Sequence, residues 1–538
     1  MKLIYDVHDK PKFSELIVFA IQQLLAIMAA TLVVPVIIGN GMSPAAALVG
    51  AGIGTLVYLL FTKGKSPVFL GSSFAFIGSM LAAFAGATTV ALGYMGLIIG
   101  AVLAGLVYVI IALIVKFAGV NWLNKLMPAV VIGPTVAIIG LSLAGNAVGD
   151  LQMGEVKTYY NPDNYQIVQV SNESMEITKN GAYLFDVTNN DNATYVVVDK
   201  DADLTRPVAP ELVYTNINVS VNADGTKTLS SDCGSVYVAL ICGLVTLAVT
   251  MLAATFGKKM TRLIPFILGI LAGYVVASLF TVLGFVLNND ALKIVDFSYF
   301  SALVKDGVAL STFFSVPDFT FLTAFGAFSE LSLSYIGTIA VAYVPVAFVV
   351  FAEHVADHKN ISSIIERDLL EDPGLSRTLL GDGVGSMAGA LFGGCPNTTY
   401  GESVGCVAIT GNASVVTIFA AAILSIAIAF INPFVAFVNT IPPCVMGGVC
   451  IALYGFIAVS GLKMAQKVDL EQNKNLFVVS VILIAGIGGL TLTFGKVSIT
   501  AIATALILGV LTNLLLKNAP EAEVEETAAI AEIEEIEE

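Results

Sequence analysis

The sequence is poor in charged residues. Only 12% of its 538 residues are Asp, Glu, Lys or Arg, whereas 57% are hydrophobic. Soluble globular domains carry about 25% charged residues, so this composition excludes an ordinary soluble domain. Apolar runs of roughly 20 residues recur along the chain, each long enough to cross a hydrocarbon core about 30 Å thick. The sequence therefore predicts an all-α polytopic protein of the cytoplasmic membrane, in contact with the lipid bilayer.

Other absences narrow the class of function. The sequence has no Walker A motif, which disfavours an ATP-driven pump. It shows no nucleophile–base pair and no converging metal ligands, so a membrane-embedded enzyme is the weakest alternative, and we expect no metal and no other cofactor. The six cysteines form no CxxC pair, and five of them lie in apolar runs. They are typical of small packing residues rather than of a disulfide framework.

The net charge of −15 is concentrated in two places. Segment 150–233 has 13 acidic and 5 basic residues, and tail 517–538 has nine Glu and one Lys, so the remainder is close to neutral. The acidity therefore gives no indication of a nucleic-acid partner. Segment 150–233 alternates β-prone stretches with turn signals and predicts a β-rich extracellular insertion, whereas 517–538 predicts a solvated acidic cytoplasmic tail.

The apolar runs divide into fourteen predicted membrane segments. With this count, the Lys and Arg clusters between segments all fall on one side, which the positive-inside rule assigns to the cytoplasm together with both termini. The start of the sequence lacks the shape of a signal peptide, so we expect the first segment to be a retained helix. The predicted segments are 14–38, 44–62, 67–92, 94–116, 127–147, 235–256, 263–287, 333–357, 378–394, 396–410, 411–432, 434–461, 475–491 and 497–516.

Two of these segments are interrupted by helix-breaking and polar residues. Pro67–Phe76 in the third segment and Pro396–Glu402 in the tenth each combine a Pro, a Gly and hydroxyl side chains. Irregular backbone survives at membrane depth only where protein surrounds it or it lines a polar cavity. The third and tenth segments are each the third segment of a half that contains seven. Because seven is an odd number of crossings, the second half starts on the opposite side of the membrane from the first. The pattern predicts a 7+7 inverted repeat with a substrate site near the breaks.

Intramembrane carboxylates are the strongest candidates for a functional site, because each costs several kcal/mol unless it is paired or solvated. Glu353 follows an apolar run in the eighth segment, and Glu402 ends the second break. Asp357 lies one helical turn after Glu353, where a solvated helix end and a functional role are equally compatible with the pattern. His354 and His358 lie round the helix from Glu353 or nearer its end, so we predict no metal site there.

The expected ligand follows from these groups. Extended backbone at the two breaks offers N–H donors, Glu353 and Glu402 offer acceptors, and Phe74 and Tyr400 offer apolar faces for stacking. A planar pyrimidine or purine base, with alternating C=O and N–H groups, matches this pattern. Carboxylates that alternate between protonated and ionised forms would also couple transport to protons. An anion exchanger or channel of the same architecture is an alternative, but it would need a cationic site where this sequence has carboxylates.

Several stretches resemble the nucleobase–cation symporter (nucleobase–ascorbate transporter) family, and within it the bacterial uracil permeases. The most specific is GGCPNTTYGESVG at 393–405, and the resemblance covers nearly the whole chain apart from 150–233 and the tail. The other stretches are GIGTLVYLLFTKGKSPVFLGSSFAF (52–76), AEHVADH (352–358), ERDLLEDPGLSRTLLGDG (366–383) and IPPCVMGGVCIALYGFIAVSG (441–461).

The resemblance implies a fold of two domains. Residues 14–116 and 333–432 would form a core domain, and 127–147, 235–287 and 434–516 a gate domain. The two broken segments would each contain a short β-strand, and the strands would meet at the substrate. The family also implies an elevator-type movement of the core against the gate and a homodimer through the gate domains.

The resemblance assigns the substrate contacts as well. Glu353 would hold the base through its carboxylate, Phe74 and Gly401 would present backbone amides to its carbonyls, and Glu402 would contact a ring nitrogen. Ala30 and Tyr400 complete the predicted binding site.

Proton coupling is linked in the family to Glu353, Asp357 and Glu402. The sequence departs from the family pattern at Ser403, where Asn is usual, and at Gln22-Gln23, where a Gln-His pair is usual. Uracil remains the expected substrate, because purine relatives tend to carry Gln at the position of Glu402. Transport of xanthine or urate is the alternative.

Overall fold

The computed structural model describes most of the chain. The described residues are 3–119 and 128–517, apart from gaps at 155–156, 161–164, 178–182, 188–193, 203–207, 209–212, 215–217, 222–226, 233, 259, 306, 467 and 495–496. The prediction for the acidic tail therefore lies almost entirely outside the described residues.

The described part of the chain is mainly helical. In chain order, the α-helices are α1 Phe13–Ile38, α2 Pro44–Phe61, α3 Ile77–Ala85, α4 Val90–Ala118, α5 Ala129–Ser142, α6 Ala144–Asp150, α7 Val236–Phe256, α8 Met260–Leu263, α9 Pro265–Val286, α10 Ser298–Ala302, α11 Leu310–Phe313, α12 Thr320–Ala324, α13 Leu333–Ile365, α14 Leu375–Gly393, α15 Gly401–Thr410, α16 Val415–Ile428, α17 Asn432–Asn439, α18 Pro443–Ala465, α19 Asn473–Ile487 and α20 Ala501–Leu515.

The strands are short and form four small sheets in the described residues. Strands β1 and β9 pair with each other, as do β10 and β11; β2, β8 and β7 form a three-stranded sheet, and β4, β3, β5 and β6 a four-stranded sheet. Their bounds are β1 Leu70–Ser72, β2 Lys157–Tyr160, β3 Tyr165–Ile177, β4 Tyr183–Val187, β5 Thr194–Asp199, β6 Val213–Tyr214, β7 Asn218–Val221, β8 Lys227–Asp232, β9 Asn397–Thr399, β10 Leu492–Phe494 and β11 Val497–Ile499.

The helices include many that can cross a membrane. Among the described residues, eight helical stretches are long and apolar enough to do so, and four shorter apolar helices accompany them. Their outward faces carry large apolar side chains such as Leu279, Phe285 and Ile484, each more than half exposed. Contact with lipid accounts for such faces without any unfavourable exposure to water. The chain is therefore a multi-pass membrane protein.

Several helix boundaries differ from the predicted segments, and two of the differences concern α13 and α18. Helix α13 continues to Ile365, about two turns beyond the predicted end at 357. The predicted helix 434–461 is divided, because α17 ends at Asn439 and α18 begins only at Pro443. Pro442 and Pro443 explain this break, since proline lacks the backbone donor that a continuing helix needs and is favoured in a first turn.

The long helices pack in two groups. Helices α2, α4 and α14 form one, in which a Cβ on Gly50 of α2 would lie only 2.4 Å from the carbonyl oxygen of Gly389 on α14. Helices α5, α7 and α18 form the other, in which a Cβ on Gly448 of α18 would lie 2.3 Å from the carbonyl oxygen of Gly243 on α7. Glycine permits these close backbone approaches. In lipid there is no hydrophobic driving force between helices, so the van der Waals contacts at such positions stabilise their association.

Candidate functional site between the broken segments

The two broken segments meet as a pair of antiparallel strands. Strand β1 lies in the third predicted segment and β9 in the tenth, and their register pairs Leu70 with Thr399 and Ser72 with Asn397. Backbone hydrogen bonds extend the pairing at both ends, from Ser73 N to Pro396 O at 2.9 Å and from Tyr400 N to Phe69 O at 3.2 Å. The strands thus satisfy backbone groups that the interrupted helices cannot.

Hydrogen bonds with neighbouring residues satisfy further backbone and side-chain polar groups of this two-stranded sheet. Thr55 on α2 accepts a hydrogen bond from Leu70 N at 2.9 Å, and the side-chain amide of Asn397 donates to Gly50 O at 2.9 Å. The Tyr400 hydroxyl donates to Ser72 O at 2.7 Å. The ring of Tyr400 lies so close to Gly71 that a Cβ there would be 2.3 Å from a ring carbon. Gly71 is therefore required by the close approach of the second break to the first.

A helix begins directly after each strand. The first break continues as a 3₁₀ turn, Phe74–Phe76, and then as α3, whereas the second continues as α15 from Gly401. The first N–H groups of a helix have no acceptor within the helix and carry partial positive charge. Glu402 lies in the first turn of α15. Each break therefore brings backbone donors to the same region, and the second adds a carboxylate.

Helix α13 supplies two more carboxylates on one face. Glu353, Asp357 and Asn360 follow one another at intervals of four and three residues, so they lie on the same side of the helix. Asp357 Oδ2 accepts a hydrogen bond from Thr399 Oγ1 at 2.8 Å. Because α13 extends to Ile365, Asp357 lies well inside the helix rather than at its end, and it is bonded to strand β9.

These elements enclose a cavity of about 600 Å³. One wall comes from the breaks and α13, and the opposite wall from α5, α9 and α18. The lining residues of the first wall are Phe74, Ala75, Glu353, Ala356, Asp357, Asn360, Thr398, Thr399, Tyr400, Gly401 and Glu402. Those of the second wall are Val136, Ile139, Phe266, Leu453, Phe456, Ile457, Ser460, Lys463 and Met464.

The cavity brings together all but one of the residues predicted for binding and coupling. Ala30 does not line it; this residue is buried on α1 in the same apolar cluster as Tyr400. The described lining carries three carboxylates and one cation, Lys463, on the opposite wall. Such a balance suits a ligand with N–H donors better than an inorganic anion.

Thr398 is one lining residue that sequence reasoning missed. Its side chain is buried, and its hydroxyl has no hydrogen-bond partner in the described part of the protein. It follows Asn397 in the PNTTYGE run, so the only signal was its position inside the second break.

A buried polar network behind α13 was also missed. His354 Nδ1 lies 2.6 Å from Asp382 Oδ2, and both side chains are fully buried. The contact requires a proton between the two atoms, on either the imidazole or the carboxyl group. His358 Nε2 lies 2.7 Å from the Tyr58 hydroxyl, and its ring stacks on that of His354 with centroids 4.1 Å apart. The available signal was Asp382 itself, a carboxylate between two glycines in an apolar run.

The two departures from the family pattern lie in contact with each other. The Gln23 side-chain amide on α1 donates a hydrogen bond to the Ser403 hydroxyl on α15. The same hydroxyl accepts from Phe69 N at 3.0 Å, just before strand β1. Gln23 and Ser403 together link α1, the first break and the second break within the buried interior.

Comparison with known sequences places the chain in a family of permeases. Residues 14–178 and 220–494 match the model of a family described as "Permease family". The chain is 35% identical to a uracil permease of Bacillus caldolyticus over 97% of this chain and 96% of that protein. It is 34% identical to the uracil permease of Bacillus subtilis, with 97% and 98% covered, and 32% identical to that of Escherichia coli K12, with 95% and 93% covered.

Solved structures share the fold at low sequence identity. The transmembrane domain of the cyanobacterial bicarbonate transporter BicA matches with a TM-score of 0.54 and 14% identity, over 95% of this chain and 99% of that chain. Murine Slc26a9, an anion transporter in the inward-facing state, matches with a TM-score of 0.56 and 10% identity, over 95% and 69%. At these identities the likeness concerns the fold alone, so the ligand must be inferred from the site.

Proposed function

This chain belongs to the permease family that includes the bacterial uracil permeases, and we propose that it carries uracil into the cell together with protons. Its relatives are named permeases, so it is a transporter and not an enzyme. The observation that supports uracil most directly is one cavity lined both by the two paired helix breaks and by the carboxylates Glu353 and Glu402.

Uracil presents two N–H groups and two carbonyls in alternation around a planar ring. In the proposed complex, Glu353 accepts a hydrogen bond from one ring N–H, and Glu402 accepts from the other. The backbone N–H groups of Phe74 and Gly401 donate to the carbonyls, as expected at the start of the helical turns that follow β1 and β9. Tyr400 covers one side of the site.

Proton coupling is assigned to Glu353, Asp357 and Glu402. Three carboxylates around one cavity repel each other when all are ionised, so the empty site gains from binding a proton. Ionisation of a carboxyl group that holds the base, or of its neighbour Asp357, changes the affinity for uracil. The binding of a proton and the binding of the base therefore affect each other, which is the requirement for symport.

The proposed architecture is the 7+7 inverted repeat with a core and a gate domain. It is supported by the matched positions of β1 and β9, and by the composition of the cavity walls. One wall comes entirely from the predicted core domain (14–116 and 333–432), and the other from the predicted gate domain (127–147, 235–287 and 434–516). A cavity between two bodies is the geometry that an elevator movement needs, because the core can carry the base past a fixed gate.

The remaining proposals concern the membrane context. Both termini and the tail after residue 517 are assigned to the cytoplasm, and segment 150–233, with strands β2–β8, to the outside. The exposed apolar faces of α7 and α9 contact lipid or a second copy of the gate domain in a homodimer.

Uptake by proteoliposomes tests the function. We expect labelled uracil to accumulate when the outside is made acidic, and the accumulation to stop when an ionophore dissipates the gradient. A folded sample without gradient-dependent uptake would contradict the proposal. The same vesicles are then given a panel of other labelled compounds: thymine, xanthine, urate and bicarbonate. Uptake of labelled xanthine or urate without uptake of labelled uracil would establish the purine alternative, and uptake of bicarbonate alone would establish anion transport.

A further inference from the structure

The segment before α1 is hydrogen-bonded to the connection that follows α15, the helix that begins in the second break. Ile4 N donates to Gly411 O at 2.7 Å, Ala413 N donates to Tyr5 O at 2.9 Å, and Val415 N donates to Val7 O at 3.0 Å. The Ser414 hydroxyl donates to Asp9 O at 2.6 Å. Residues 4–9, here called the N-terminal strap, thus pair along the connection between α15 and α16 in the manner of a short strand.

Side chains anchor the N-terminal strap as well. Val7 is 1% exposed and belongs to the apolar cluster that contains Tyr400, Val404 and Val407. The carboxylate of Asp6 pairs with the guanidinium of Arg367, just beyond the end of α13. The N-terminal strap therefore joins the end of α15 to the end of α13.

The same two helices are already joined at the cavity. Thr399, two residues before α15, donates a hydrogen bond to Asp357 on α13. Apolar packing of Val404 and Val407 and the hydrogen bond from Gln23 to Ser403 restrain the middle of α15, which is only 10 residues or about 15 Å long. The N-terminal strap adds a connection at the opposite end from Thr399, and two connected ends restrain the angle between α15 and α13. Glu402 lies on α15, and Glu353 and Asp357 lie on α13, so the arrangement of the three carboxylates depends on both connections.

The other half of the chain has a corresponding contact. Glu330, shortly before α13, accepts hydrogen bonds from Thr89 Oγ1 at 2.8 Å and Thr88 Oγ1 at 3.4 Å, in the connection after α3. The Tyr335 hydroxyl in the first turn of α13 donates to Ala83 O at 2.8 Å. In each predicted half, the segment entering the first helix thus holds the connection that follows the broken segment of the other half.

We propose that the N-terminal strap is a positioning element of the substrate site, which holds Glu402 in register with Glu353 and Asp357 and thereby sets the affinity for the base. The identity of the base rests on the proposed function, whereas the restraint of α15 by the N-terminal strap does not depend on it. It assigns a role in binding to residues that do not touch the cavity.

Three variants of the full chain test it. The first lacks residues 2–9, the second is Val7→Asp, and the third is the charge swap Asp6→Arg with Arg367→Asp. Lys10→Gln, beyond the strap, is the matched control. Hydrogen exchange of the backbone amides 404–410, measured without any ligand, reports on α15 directly. We expect exchange about tenfold faster in the first two variants, unchanged exchange in the control, and exchange near that of the wild type in the charge swap.

Uracil binding in detergent provides the second measurement. We expect Kd to rise roughly threefold to tenfold in the first two variants, with a clear recovery in the charge swap compared with Arg367→Asp alone. Unchanged exchange at 404–410 in the folded deletion variant would overturn the proposal. So would faster exchange with an unchanged Kd, since that is the result of a merely structural contact. If the wild type binds a different base from the panel, Kd for that base is measured instead. If it binds none, the proposed function fails, while the exchange experiment still decides whether the N-terminal strap restrains α15.

Discussion

The two broken segments solve the same backbone problem but contribute differently to the site. Both contain a three-residue strand followed by a helix, and the strands pair with each other. The first break brings Phe74 and Ala75 to the cavity and no charge, whereas the second brings Thr398, Thr399 and Glu402. A nearly symmetric frame thus holds an asymmetric set of side chains. In the proposed complex, both breaks supply backbone donors, whereas only the second of the two breaks supplies a titratable acceptor.

The largest effect is expected where a carboxylate faces both breaks. Glu353→Gln replaces an acceptor-only group by an amide, which places an N–H donor against a ring N–H of the base. We expect a loss of uracil affinity of about 100-fold, because a charged hydrogen bond is lost and a polar group is left unpaired. Isothermal titration or equilibrium dialysis measures this effect. Glu371→Gln, an exposed carboxylate beyond α13, is the control. Wild-type affinity in Glu353→Gln would remove this residue from the site.

A second variant separates the titratable role of the second break from its backbone role. Glu402→Gln leaves β9 and the start of α15 in place but removes a group that can release a proton. We expect gradient-driven uptake to fall at least tenfold more than the exchange of labelled for unlabelled uracil across the membrane, which is reduced only by the weaker binding of the base. Asp357→Asn is the comparison, since an amide oxygen can still accept from Thr399. Normal gradient-driven uptake in both variants would show that protons couple elsewhere.

The smallest effect is expected from a substitution that disturbs the packing between the two breaks. In Gly71→Ala, the new methyl group would meet the Tyr400 ring at 2.3 Å, so the ring must shift and its hydrogen bond to Ser72 O is strained. We expect a loss of roughly 1–3 kcal/mol in stability and a several-fold weaker affinity. Gly78→Ala on α3 is a matched control, because its Cβ would only reach ordinary contact with Ile502 at 3.7 Å. Equal melting temperatures and affinities in the two variants would contradict the close packing of the breaks.

The sequence alone determined the membrane class, the two breaks and the carboxylates near them. These features are local and follow from the intolerance of lipid for unpaired backbone groups and for charge. Pro67–Phe76 and Pro396–Glu402 are visible as interruptions in apolar runs, and Glu353 is visible as an acid within one. The resemblance carried by PNTTYGE added predicted contacts of individual residues with the base. The fourteen-segment count and the assignment of the halves to core and gate remain predictions.

Only the tertiary structure decided which of these residues lie together. The bond between Asp357 and Thr399 depends on the length of α13 and on the register of β9, which no local pattern encodes. The pair His354–Asp382 and the pair Gln23–Ser403 join residues that are distant in sequence, and each residue by itself reads as a packing or solvated position. The N-terminal strap is the extreme case, because its backbone hydrogen bonds carry no side-chain signal. Helix breaks and buried charge are properties of a segment, whereas hydrogen-bond partners are properties of how segments pack.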